Sequence, residues 1–242
     1  MLDYKQLRRL FSGGHKMQIL KFQTAVFFRT PAERPDLLPA NMPPMLQELF
    51  DRIPIIPPMP PIPMGIPNPP DFPIVTLQSS HIGYQGTISK NRADLFYNYS
   101  SHKDYSELLD EISKYSELFF QYFCTKQQVN RLGIVMSVFL PEENAVKTLA
   151  KKYSTRELQN CEELAIRFNK RGQTEGIQLN NIISLHSDDV TFGEQASVPG
   201  IIAECDINNV PQSTILTETE CRTIFQFAIS RYKMEEVKKL IL

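Results

Sequence analysis

Residues 130–140 read Asn130-Arg131-Leu132-Gly133-Ile134-Val135-Met136-Ser137-Val138-Phe139-Leu140. Large apolar side chains fall at period two, with Leu132, Ile134, Met136, Val138 and Leu140 on one side of an extended chain. The other side carries Arg131, Gly133, Val135, Ser137 and Phe139, a mixture of polar and isolated apolar groups. A strand with one committed face and one mixed face belongs in an antiparallel sheet backed by helices on one side only.

Reading toward the N-terminus, Leu20, Phe22, Thr24, Val26 and Phe28 alternate in the same way and predict a strand over 17–30. Asn41 is placed to cap a short helix, with Pro43 and Pro44 in its first turn, where proline is tolerated. Strands are predicted over 73–79, 82–89 and 93–99. A long helix follows from Asp104 to Phe123, because Tyr105, Leu108, Leu109, Ile112, Tyr115, Phe119 and Phe123 recur at helical steps. Toward the C-terminus, Pro141-Glu142-Glu143 opens a helix to Tyr153. A hairpin is expected from strands 163–170 and 177–186, and a further strand over 199–208. Thr217 and Glu220 have the spacing of a capping box for a last helix, whose face is Cys221, Ile224, Phe225, Ala228 and Tyr232.

Each half therefore reads strand, helix, three strands, long helix. The expected fold is α+β: a duplicated unit, residues 17–128 and 129–242, forming one mostly antiparallel sheet with two long helices on one face of a single compact domain. This order resembles the duplicated saddle folds, namely the TATA-binding-protein-like fold and the strand-helix-strand-strand modules of GyrI-like ligand-binding domains. Val129-Asn130-Arg131-Leu132-Gly133, placed after a long aromatic helix, resembles a segment of a sporadically distributed, uncharacterised bacterial family of similar length. Neither resemblance implies an activity, a cofactor or a site residue.

The chain has 242 residues and a formal net charge of -1, so the basic excess that drives binding to a phosphate backbone is missing. The longest apolar runs are strand-length, well short of the ~20 residues a membrane helix needs. Cys124, Cys161, Cys205 and Cys221 form no C-x-x-C pair and read as reduced thiols of a cytoplasmic protein. Residues 1–16 are polar and basic and end in Ser12-Gly13-Gly14-His15-Lys16 before Met17. They read either as a non-native leader or as a short amphipathic helix carrying Leu2, Leu7, Leu10 and Phe11.

Residues 54–73 break the pattern. Ten prolines are mixed with Ile55, Ile56, Met59, Ile62, Met64 and Ile66, which excludes helix and central strand and favours polyproline II. Three readings stay open: a loop covering the protein's own core, a docking segment for a partner that uses Ile55, Ile56 and Ile62, or a linker.

No nucleophile elbow, P-loop, dinucleotide fingerprint or H-E-x-x-H motif occurs, so no cofactor and no metal is expected. His186-Ser187-Asp188-Asp189 gathers base, hydroxyl and acid at a strand end, although such a segment more often satisfies its own backbone. Asn169-Lys170-Arg171, read as a hairpin tip, could bind an anion or be a solvated turn. Arg131 either pairs with a buried carboxylate or reads an anionic ligand. Phe96 alternates with Tyr97 and Tyr99, so one set faces away from the helices.

The leading expectation is a non-enzymatic binding or protein-interaction module of a bacterial cytoplasmic system, with Arg131, Asn180 and His186 as polar contacts on the free sheet face. The alternatives are a small-ligand sensor using a cleft between the halves, and an enzyme with an unrecognised site. A protein partner is expected, with a small ligand or a second copy of the chain as alternatives, and neither a membrane nor nucleic acid.

Overall fold

Alternation at period two builds the centre of the molecule from β1 (Gln18–Phe28) and β5 (Val129–Pro141), which pair antiparallel with Thr24 opposite Ile134. The structure is a computed structural model that describes residues 16–32, 40–56, 71–81, 83–100, 103–153, 158, 161–192, 197–211 and 214–242. In chain order the remaining elements of the first part are α1 (Pro44–Leu49), β2 (Val75–Gln78), β3 (Tyr84–Ile88), β4 (Arg92–Asn98) and α2 (Tyr105–Lys126). After β5 come α3 (Ala145–Tyr153), β6 (Ala165–Thr174), β7 (Ile177–Val190), β8 (Val198–Asn209), α4 (Glu218–Tyr232) and α5 (Met234–Ile241). All eight strands form one antiparallel sheet in the order β2-β3-β4-β1-β5-β8-β7-β6. The fold is α+β.

The committed face of β5 is the expected one: Leu132, Ile134, Met136, Val138 and Leu140 are buried. All five described helices bring their buried apolar residues to the same core, from Leu46 and Leu49 of α1 to Val237 and Ile241 of α5. Phe120 of α2 meets Phe225 of α4 with ring centroids 5.2 Å apart. Polar ties cross the same core. The Tyr105 hydroxyl donates to the Tyr232 carbonyl at 2.6 Å, and the Tyr232 hydroxyl lies 2.9 Å from the Cys205 carbonyl oxygen. At the start of α4, Thr217 and Glu220 form the expected capping box.

Several expectations are corrected by local geometry. In β1 the register shifts between Ile19 and Lys21, so Ile19, opposite Val138, takes the core place assigned to Leu20. One extra residue in a strand inverts the parity of everything before it. The turn between β6 and β7 needs only Glu175 and Gly176, both at positive φ (45° and 84°), the backbone of a tight two-residue hairpin. Asn169-Lys170-Arg171 therefore lies inside a strand, not at the hairpin tip. β5 continues through Pro141, and α3 begins at Ala145. Tyr97 is buried on the helix side and Phe96 faces the other way.

Among the described residues no helix is long and apolar enough to cross a membrane. Residues 1–15, most of the proline-rich segment and Ile62 lie outside the described residues.

Candidate functional site on the open sheet face

The face turned away from the helices can be read row by row from the strand register. One row crosses all eight strands: Thr76, Thr87, Asp94, Ala25, Gly133, Asn208, Asn180 and Arg171. Its centre is small, Ala25 and Gly133, and its flanks are polar, Asp94 and Asn208. Asp94 and Asn208 stand about 14 Å apart, three interstrand steps of about 4.8 Å. A Cβ added to Gly133 would meet only ordinary contacts, 3.7 Å from Asn208 and 3.9 Å from Ala25. The middle of the face is therefore floored by small, buried residues.

One wall is built from charge and an aromatic ring. Arg92, Phe27 and Arg131 lie side by side on β4, β1 and β5. Each guanidinium carbon lies 5.0 Å from the Phe27 ring centroid, so the ring is flanked by two cations. Arg92 is paired: its Nε and Nη2 each donate to Asp94 at 2.7 Å, a bidentate pair. Gln23 also donates to Asp94 at 2.9 Å, so this buried carboxylate is satisfied from two strands. Arg131 differs. It enters no described ion pair, and its buried Nε has no hydrogen-bond partner.

The opposite wall is a relay of amides. Asn169 donates to Asn180 at 3.1 Å, Asn180 to Asn208 at 3.2 Å, and Asn208 to Asp206 at 2.8 Å. Asn208 is only 1% exposed. Buried side-chain amides of this kind are tolerated because every link is hydrogen-bonded.

The predicted contacts separate into three places. Arg131 and Asn180 belong to the same end, since Asn180 shares a row with Gly133, two residues from Arg131. His186 is on the same face but at the level of Phe139 and Ile202, eight residues and about 26 Å along the sheet from Arg131. That end is closed: Phe139 is fully buried against Phe192, which in turn meets Tyr99. Ile55 extends the far edge of the sheet, exchanging backbone hydrogen bonds with Thr76 at 2.9 and 2.8 Å. Its side chain and that of Ile56 are exposed, 46% and 70%, so neither covers the core.

His186-Ser187-Asp188-Asp189 does not assemble a catalytic group. Successive strand residues point to opposite faces, which parts His186 and Asp188 from Ser187 and Asp189. Ser187 accepts from the Leu164 N–H at 3.4 Å, and Asp188 from the Asp189 N–H at 2.8 Å. The cleft of about 450 Å³ beside them is lined by Glu143, Glu162, Glu163 and both aspartates. Among the described residues no group of His, Cys, Asp and Glu could hold a metal ion.

Asn208, Asp206, Phe27 and the Arg92–Asp94 pair were not singled out from the sequence, and Asn169 was singled out only as part of a hairpin tip. The alternation Arg92-Ala93-Asp94 placed two opposite charges on one strand face and was the one available signal. No protein-family model and no curated protein matches the chain.

Proposed function

We propose that this protein is a non-enzymatic interaction module that binds another protein on its open sheet face. The observation that carries this reading is Arg131. A cation half-buried on a sheet, stacked on Phe27, with an unpartnered buried Nε beside a small-residue floor, is arranged to accept an anionic group from outside. Arg92, its counterpart across the ring, shows what satisfaction looks like: a bidentate carboxylate. A carboxylate of the partner would complete Arg131 in the same way, while the amide wall orients backbone or side-chain groups of the bound segment.

We read the fold further as a duplicated unit with two long helices on one face. β1 and β5 meet antiparallel around Thr24 and Ile134, and the strands run outward from them as β4, β3, β2 and as β8, β7, β6. About that centre Asp94, opposite Ala25, corresponds to Asp206, opposite Val135. A pseudo-two-fold at the centre of the face would place the partner where the halves meet. The setting remains the expected one, a bacterial cytoplasmic system.

Gly133→Val tests the reading. It adds bulk to the small-residue floor while fitting the strand, so the melting temperature should hold within a few degrees, with stability changed by about 1 kcal/mol or less. Crosslinking to a protein partner from a photoreactive residue at Val135 should be lost. Undiminished crosslinking in the folded variant would remove the open face as the site.

A further inference from the structure

β6 is the outer strand of the sheet and pairs on one side only, with β7. The Ser187 N–H donates to the Leu164 carbonyl at 3.2 Å. By the alternation of an antiparallel ladder, the even-numbered residues of β6 then bond to β7. The N–H and C=O groups of Arg167, Asn169, Arg171 and Gln173 point outward, and no described residue bonds to them. The two edges of the sheet differ. β2 has four residues and its edge is met by Ile55. β6 has ten residues, holds register from Ala165 to Thr174 without a shift, and contains no proline. Long, straight, unpaired edges are otherwise blunted or covered.

The side chains of β6 say what could pair with it. Ile166 and Phe168 are half-buried on the helix side. Next to them opens a cleft of about 320 Å³, lined by Lys170, Phe227, Arg231 and Leu240 among others. On the other side Arg167 and Arg171 are exposed. The strand carries three cations, Arg167, Lys170 and Arg171, and no carboxylate. A second copy of β6 would set cations against cations, which disfavours self-pairing.

We propose that β6 is a docking edge for an extended acidic segment of a partner protein, which adds as a ninth strand. Its backbone would take the outward N–H and C=O groups, one row of its side chains would lie on Ile166 and Phe168, and its carboxylates would meet Arg167 and Arg171. This surface is separate from the open-face site around Arg131 and stands or falls independently of it.

The probe is a synthetic peptide of alternating Glu and Val, matched to the ten residues of β6, with a Lys-Val peptide as control. The Glu-Val peptide should bind and slow hydrogen exchange at the Arg167, Asn169 and Arg171 amides, and the Lys-Val peptide should do neither. Arg167→Pro removes only an outward N–H from the ladder, where an edge tolerates proline. It should weaken binding by about tenfold or more relative to Arg167→Gln, which keeps the N–H. Arg131→Glu should leave peptide binding unchanged. Binding without slowed exchange at these amides, equal affinity of the Pro and Gln variants, equal affinity of the two peptides, no binding at roughly millimolar peptide, or dimerisation through β6 instead would each overturn the proposal.

Discussion

Arg131 lies over the Phe27 ring at 5.0 Å, and Arg92 lies over the same ring at the same distance. Arg92 is held by Asp94, while the Nε of Arg131 is held by nothing described. This asymmetry between two cations sharing one ring is the basis for placing an external anion on the open face.

The amide relay should contribute to stability as well as to recognition. Asn208→Ala would strand the Asn180 amide and remove a donor from Asp206 at a site 1% exposed. A loss of about 1–3 kcal/mol is expected, measured by urea denaturation. A change within a few tenths of a kcal/mol would show that the relay is solvated.

The closed end of the same face makes a steric prediction. A Cβ on Gly200 would fall 2.3 Å from the Phe139 ring and 2.5 Å from the Leu140 carbonyl oxygen. Gly200→Ala should therefore displace Phe139 and Phe192 and cost about 2–4 kcal/mol. An unchanged denaturation midpoint would mean that the aromatic cluster does not rest on the backbone there.

The cysteines should differ in reactivity. Cys161 is exposed, whereas Cys205 and Cys221 are buried. Burial pushes the Cys205 thiol up to about 12. The hydrogen bond with Cys124, together with burial, raises Cys221 well above the ordinary thiol range. At pH 8 both stay protonated and shielded, so a thiol reagent should modify Cys161 rapidly and Cys205 and Cys221 only after unfolding. Fast labelling of Cys205 in the native protein would contradict the packing of α4 on β8.

Much of this architecture was legible in advance, and the places where it was not have physical causes. Leu132 through Leu140 announced the central strand because alternation is a property of the chain itself. The same alternation misassigned Leu20, because a one-residue bulge inverts parity without any mark in composition. The β6–β7 turn was read too wide, because Arg171, Gly172 and Gln173 look like loop residues, yet an edge strand facing water has the same preferences. Arg131 and Asn180 were singled out because alternation places each on the strand face opposite the apolar one. Asn208 and Asp206 were missed: their role depends on which strand becomes the neighbour, and strand order is a long-range property.

The most direct test uses the double variant Arg131→Glu with Asn180→Ala, which removes the free cation and one link of the amide wall. Photoreactive residues at Val135 on the open face and at Lys114 on α2 report contact with a protein partner in the native cell. If the open face is the binding surface, a discrete crosslinked species forms from Val135 and not from Lys114, and it vanishes in the double variant while the fold persists. A species that forms from Lys114, or that survives in the folded double variant, would contradict the account.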